Sequence, residues 1–293
     1  MVDRRASFSG LVFVAVVWGT TFPIIAVSLR YIDPMSFLLF RFAIASLIML
    51  PFIFKKVNKR DALYGSLVGI PLFIGYVTQT YGLDYTSPSM SGLITGIYII
   101  LTPILSIFIL KNGVDMVKIY LTIAAFVGMA LMSVSSTSGQ LLGNVLTLGT
   151  AICYALQMVL TEKYLSNGNP MVFTFFQLVV VAVLSLVVSP LSVLKVGMMT
   201  NSYVLFSVLF NAILGTTLAI WIMSVAIRNI SAYLSALILI IEPVSAVAVS
   251  TIFFHFQVTS LMLLGGGIIL VSMILAINRE NRKNQKDNVD TPS

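Results

Sequence analysis

Charge is scarce in this chain: Asp, Glu, Lys and Arg make up 9% of its 293 residues, against about 25% in an ordinary soluble domain. A water-soluble globule of this length is excluded. One cysteine, Cys153, rules out an internal disulfide and says nothing of compartment. One histidine, His255, stands at the end of an apolar run. There is no HExxH motif, no carboxylate pair within an apolar run, no Walker loop and no cluster of metal ligands. No catalytic residue, metal or cofactor is expected, and the chain reads as a non-enzyme. An ATP-driven pump needs a soluble nucleotide domain, and too few residues lie outside the apolar runs to build one.

Apolar sequence is what the chain has in abundance: 58% of residues are hydrophobic and the mean hydropathy is +1.03. A membrane-spanning helix needs about 20 apolar residues. Ten such stretches can be marked off, at 8–28, 35–54, 63–83, 89–110, 117–134, 141–161, 171–190, 203–225, 231–253 and 260–278. The expected fold is an all-α integral membrane protein of ten transmembrane helices, its first partner the lipid bilayer. Arg4-Arg5 before an apolar run resembles a signal peptide, but the run is too long and lacks a small-x-small cleavage site, so it reads as the first span.

The net charge of +7 does not point to nucleic acid, because the basic residues fall in short loops between spans. Fourteen Lys and Arg lie in the even-numbered gaps and at both termini; only Arg30 and Lys195 lie in the odd-numbered gaps. This positive-inside asymmetry places both termini in the cytoplasm and the protein, multi-pass, in the cell membrane. It also supports the count, since one missed or false span would scramble it.

The sequence repeats itself. Pro34-Met35-Ser36-Phe37-Leu38-Leu39-Phe40 matches Pro170-Met171-Val172-Phe173-Thr174-Phe175-Phe176 at an offset of 136, which also carries Trp18 onto Tyr154 and Thr21 onto Gln157. Thr102-Pro103 matches Glu242-Pro243 at an offset of 140. The units are 1–136 and 137–278, followed by a charged tail, 279–293, expected to be a disordered cytoplasmic extension. A duplicated unit with an odd number of spans inserts its second copy upside down. Two inverted five-helix repeats with a site near midplane are a recurrent plan of secondary transporters.

Polar side chains within spans are costly and usually face the bundle interior or a cavity. Ser91, Thr95, Tyr98 and Thr102 share one face of span 4, and Ser231, Ser235, Ile238 and Glu242 share the matching face of span 9. Such serines and threonines equally serve helix packing. Glu242 is the sharpest feature, a carboxyl near the middle of its span. Pro243 beside it opposes the carbonyl of Leu239 and makes a local break. The carboxyl can carry a coupling proton, contact a cationic solute, or simply be a buried neutral acid. Arg41, about two turns into span 2, is a candidate anion contact; it can also snorkel outward or pair with Asp33 or Asp84. Trp18 with Thr21, Tyr154 with Gln157, the matched Tyr81 and Trp221, and Gln79 would give an aromatic-walled cavity with a few hydrogen-bonding groups, suited to an amphipathic solute. The alternative is an interfacial aromatic belt. Gly65-x-x-x-Gly69, Gly92-x-x-x-Gly96 and Gly265-Gly266-Gly267 read as packing sites between helices.

Several of these segments resemble the drug/metabolite transporter superfamily, and within it the EamA family of five-plus-five spans. They are Val17-Trp18-Gly19-Thr20-Thr21-Phe22, Phe40-Arg41-Phe42, Tyr85-Thr86-Ser87 with Leu93 to Tyr98 and Thr102-Pro103, Glu242-Pro243, and Leu264 to Leu270. The family's Gly-Glu pair after spans 4 and 9 is replaced by Lys111-Asn112 and His255-Phe256, so no role of that glutamate carries over. The resemblance implies a carrier of small metabolites or drugs, commonly outward. The expected function is a secondary transporter exporting amino acids or related amphipathic solutes by alternating access, with proton coupling as an option. Multidrug efflux, metabolite exchange and a non-transporting scaffold or receptor are the alternatives; a scaffold has no need of a midplane glutamate.

Overall fold

The computed structural model describes residues 4–54, 56–111, 115–133, 141–189, 200–254 and 258–289. Its elements are all helical. The first half holds α1 (Arg4–Ser28), α2 (Pro34–Ile53), α3 (Lys59–Tyr85), α4 (Pro88–Thr95), α5 (Tyr98–Leu110) and α6 (Met116–Ser133). The second holds α7 (Leu141–Leu165), α8 (Pro170–Val188), α9 (Ser202–Phe210), a π-helix (Asn211–Leu218), α10 (Ala219–Ile230), α11 (Ala232–Leu239), α12 (Ile241–Phe254) and α13 (Ser260–Val289). Spans 4 and 9 are each two helices, α4–α5 and α11–α12, and span 8 is α9, the π-helix and α10 together. Among the described residues, eight spans are long and apolar enough to cross a bilayer, with shorter apolar stretches at Ile119–Gly128 and Ser260–Ala276. Large apolar side chains such as Leu47, Phe108 and Val187 are exposed on the outside of the bundle, where lipid rather than water is their solvent.

Local chemistry fixes the helix starts. Pro34 and Pro170 open α2 and α8, where a missing N–H costs nothing. Before them Asp33 Oδ1 accepts from the Ser36 amide at 2.9 Å and Asn169 Oδ1 from the Met171 amide at 3.0 Å. The two repeat-related spans thus both begin with a proline behind a capping side chain, 136 residues apart, though Asp33 caps the third residue on and Asn169 the second.

Contacts between helix ends test the crossing number. On one face the Asn169 amide donates to Asp61, Arg228 donates to the Gly168 carbonyl, Asn229 to Ser7, and Arg279 pairs with Asp115 at 3.1 Å. On the other, Tyr203 meets the Ile24 carbonyl and Thr86 meets Asn144. The chain termini and even-numbered gaps therefore share one face, the basic one, and the odd-numbered gaps share the opposite one. The first unit starts on the basic face and the second on the opposite face, which is the inversion that parity requires.

Packing between the halves uses glycine where backbones come close. A Cβ on Gly65 would lie 2.5 Å from the Phe173 carbonyl, and one on Gly69 would lie 2.8 Å from Val180 Cβ, so α3 seats directly on α8. Gly92 has only ordinary contacts with Phe22, and of the glycine triplet Gly265 is the close one, its carbonyl against Gly128. The tail differs from the expectation of disorder: residues 279–289 continue α13. Arg, Glu, Lys and Gln are good helix formers, and a helix already in progress needs no new nucleus. Lys195, Asn112, His255 and Phe256 lie outside the described residues.

Candidate substrate cavity

Three irregular helices meet at the centre of the bundle. Span 4 loosens at Gly96 and Ile97, between α4 and α5; span 9 breaks at Ile240, one residue beyond the carbonyl that Pro243 opposes; span 8 widens into the π-helix. Span 1 is pressed against the second break. A Cβ on Gly19 would lie 2.0 Å from Ser245 Oγ and 2.7 Å from the Glu242 carbonyl, and Ser245 Oγ donates to the Ala15 carbonyl at 2.9 Å. Such irregular backbone is tolerated in a membrane where protein or a cavity surrounds it.

A cavity of about 30 Å³ lies among these elements, room for about two water molecules. Both halves line it. Of the residues expected from sequence it brings together Trp18, Thr21, Arg41 and Gln79 with Tyr98, Tyr154, Gln157 and Glu242. It also gathers residues the sequence reading passed over: Tyr76, Phe22, Leu72, Met158, Ile220 and Met223. Tyr76 carried a usable signal, since it precedes Gln79 by three residues, the same spacing as Trp18 and Thr21.

Four expected residues lie elsewhere. Thr95 stands behind the lining, where its hydroxyl accepts from Gln79 Nε2 at 3.3 Å. Ser235 donates to the Ser231 carbonyl of its own helix, the packing reading rather than the lining one. Tyr81 is half-buried near the outer end of α3. Trp221 is half-buried outside the cavity, with Ile220 and Met223 in its place. The matched positions Tyr81 and Trp221 thus miss the cavity together.

Arg41 is 2% exposed and neither snorkels nor pairs with Asp33 or Asp84. Its Nε donates to Thr216 Oγ1 at 2.6 Å and its Nη2 to the Gly215 carbonyl at 3.2 Å, with Tyr76 Oη at 3.4 Å. Its Cζ lies 4.6 Å from the Tyr76 ring centre. Trp18 Nε1 donates to the same Gly215 carbonyl at 2.8 Å. The π-helix thus supplies a carbonyl and a hydroxyl, at Gly215 and Thr216, that tie spans 1 and 2 to span 8. The rest of the wall is a hydrogen-bonded aromatic set. Tyr76 meets Phe42 and Tyr154 edge-on at 4.8 and 5.4 Å, and Tyr154 Oη donates to Gln79 Oε1 at 3.1 Å. Gln157 Nε2 donates to Gln177 Oε1 at 2.8 Å.

Glu242 differs from all of these. It is 5% exposed, it lines the cavity, and its carboxyl makes no hydrogen bond or ion pair with the described residues. Across the same space the buried Tyr98 hydroxyl also has no partner. Among the described residues no group of His, Cys, Asp and Glu could hold a metal ion.

The profile of the EamA-like transporter family matches residues 7–134 and again 141–278. An uncharacterized transporter of Archaeoglobus fulgidus is 31% identical over 274 residues, covering 94% of this chain and 86% of its own. The uncharacterized transporter YyaM of Bacillus subtilis is 27% identical over 91% of this chain and 93% of its own. An S-adenosylmethionine uptake transporter of Rickettsia prowazekii is 25% identical over about half of each chain, 51% and 52%. A solved crystal structure superposes with a TM-score of 0.74 over 96% of this chain and 99% of that one at 14% identity, a likeness of fold.

Proposed function

This chain belongs to the EamA-like transporter family, and from that premise we propose that it carries amino acids or related amphipathic metabolites outward by alternating access. The observation that supports this reading most is the small central cavity to which both halves contribute aromatic and polar side chains. A site shared by two inverted units is what rocking of one against the other exposes first to one face and then to the other. The units that move are 1–136 and 137–278; Trp18, Thr21, Arg41, Gln79, Tyr98, Tyr154, Gln157 and Glu242 contact the solute, and Glu242 carries a coupling proton.

Purified protein in liposomes, preloaded with each of the twenty amino acids in turn, tests the reading with and without a proton gradient. Counterflow of at least one amino acid, increased by the gradient, is the expected result. Movement only of hydrophobic cations would turn the reading to drug efflux, and no movement of any solute would end it. The Rickettsia relatives favour a second reading, an amino acid carrying a sulfonium group, so S-adenosylmethionine belongs in the same panel. Both termini lie in the cytoplasm in this proposal. Lys59→Cys on the basic face should resist an impermeant thiol reagent added to intact cells, whereas Tyr31→Cys should react.

A further inference from the structure

The cavity holds two ionisable side chains of opposite sign, one from each half, and they are not paired. Arg41 is held by Thr216, Gly215 and Tyr76, all neutral; Glu242 has no partner among the described residues. No ion pair joins Arg41 to Glu242; the guanidinium's hydrogen bonds all go to neutral groups. Burying either charge alone is expensive, and a pair in contact would be the cheaper arrangement. The hydrogen bonds to the π-helix prevent it: they fix the guanidinium against span 8, while Gly19 and Ser245 fix the start of α12 against span 1.

We infer that the two groups are the poles of a zwitterion site, the Arg41 guanidinium reading a carboxylate and the Glu242 carboxyl, with the partnerless Tyr98 hydroxyl, reading an ammonium. This deepens the proposed function and rests on it. A zwitterion placed between the poles neutralises both charges at once, which a singly charged or neutral solute does not. Nε and Nη2 are spent on Thr216, Gly215 and Tyr76, which leaves Nη1 to meet a carboxylate in a charge-assisted hydrogen bond. Thr216 is the positioning residue, since its hydroxyl holds Nε and so fixes the plane of the guanidinium. The π-helix matters because it presents the Gly215 carbonyl and the Thr216 hydroxyl to the same side chain.

Binding to the purified full-length protein separates the poles. Each of the twenty amino acids and glycine betaine is titrated first; the tightest amino acid is then compared with its methyl ester, which lacks the carboxylate, and its N-acetyl form, which lacks the ammonium. The amino acid should bind at least ten-fold more tightly than either derivative. Thr216→Val should weaken the amino acid and the N-acetyl form several-fold while leaving the methyl ester unchanged, and Thr216→Ser should restore parent affinity. Glu242→Gln should weaken the amino acid and the methyl ester and spare the N-acetyl form. A methyl ester or an N-acetyl form as tight as the parent amino acid overturns the inference. So does a panel in which nothing binds. If a singly charged or neutral metabolite is transported in the liposome assay while no zwitterion is, the transporter reading survives and this one does not.

Discussion

The two halves share a frame and differ in chemistry. Pro34 and Pro170, 136 residues apart, open corresponding helices, yet the residues at matched positions near the centre are not the same. Gly19 in the first half corresponds to Ala155 in the second, Arg41 to Gln177, and Thr102 to Glu242. Span 8 is π-helical over Asn211–Leu218, whereas span 3 is one continuous α-helix with Pro71 inside it. In the second half Gln157 Nε2 donates to Gln177 Oε1 at 2.8 Å; of their counterparts, Arg41 bonds to span 8 while Thr21 donates to the Trp18 carbonyl of its own helix. Duplication supplies a two-fold scaffold. Divergence at a few buried positions places Arg41 in one half and Glu242 in the other, so neither half alone contains the candidate site.

The sharpest test of this asymmetry is at the glycine. Gly19→Ala puts a methyl within 2.0 Å of Ser245 Oγ and 2.7 Å of the Glu242 carbonyl, and since backbone stands there the spans must separate. A loss of about 3 kcal/mol, the upper end for overpacking, should appear as a fall in monodisperse yield and thermal stability. Its counterpart Ala155→Gly should cost only about 1 kcal/mol, the helix-propensity difference. Equal losses would mean that the two positions pack alike.

Next in size is the acid. Glu242→Gln keeps the shape and the hydrogen-bonding capacity of the side chain but cannot ionise. Gradient-driven accumulation in liposomes should fall at least ten-fold, while exchange of solute for solute continues at a reduced apparent affinity. Thr102→Val, at the corresponding position, should leave both activities near the parent level, because Thr102 Oγ1 is spent on the Tyr98 carbonyl of its own helix. Parent behaviour of the Gln variant in both assays would remove Glu242 from the transport cycle.

The frame was legible in the sequence because membranes impose it: runs of about 20 apolar residues and a fourteen-to-two imbalance of basic residues have no other simple cause. Pro243 placed the break in span 9 to within a residue. The site was legible in part. Trp18, Arg41, Tyr154 and Glu242 stood out as polar or aromatic groups deep in spans, and the cavity gathers them. The match between Tyr81 and Trp221 pointed both inward, but the cavity takes neither, and Ile220 and Met223 line it from span 8 instead. Nor could spacing distinguish a serine that lines a cavity from one, like Ser235, that bonds back to its own turn. Trp18→Ala and Trp221→Ala now divide. Loss of the first should raise the half-saturation concentration several-fold through the lost stacking surface and the Gly215 bond; loss of the second should leave it within two-fold. Equal effects would mean that Trp221 reaches the solute as Trp18 does.

The smallest expected effect is the most specific to the cavity. Tyr98 is 2% exposed and its hydroxyl has no partner, while the corresponding residue of the second half, Ile238, has no hydroxyl to satisfy. Burying an unmade hydrogen bond costs about 1–3 kcal/mol, so Tyr98→Phe should leave the empty protein as stable as the parent or more so. If the hydroxyl bonds the solute during transport, the same change should weaken binding about three- to ten-fold, the worth of one neutral hydrogen bond of about 0.5–1.5 kcal/mol. Stability and affinity then move in opposite directions, which a packing residue does not do. A thermal scan of the empty protein, set beside a titration with its tightest amino acid, reads both. Should Tyr98→Phe lower the melting temperature and leave affinity unchanged, the hydroxyl belongs to the packing of span 4, and the acidic pole is Glu242 alone.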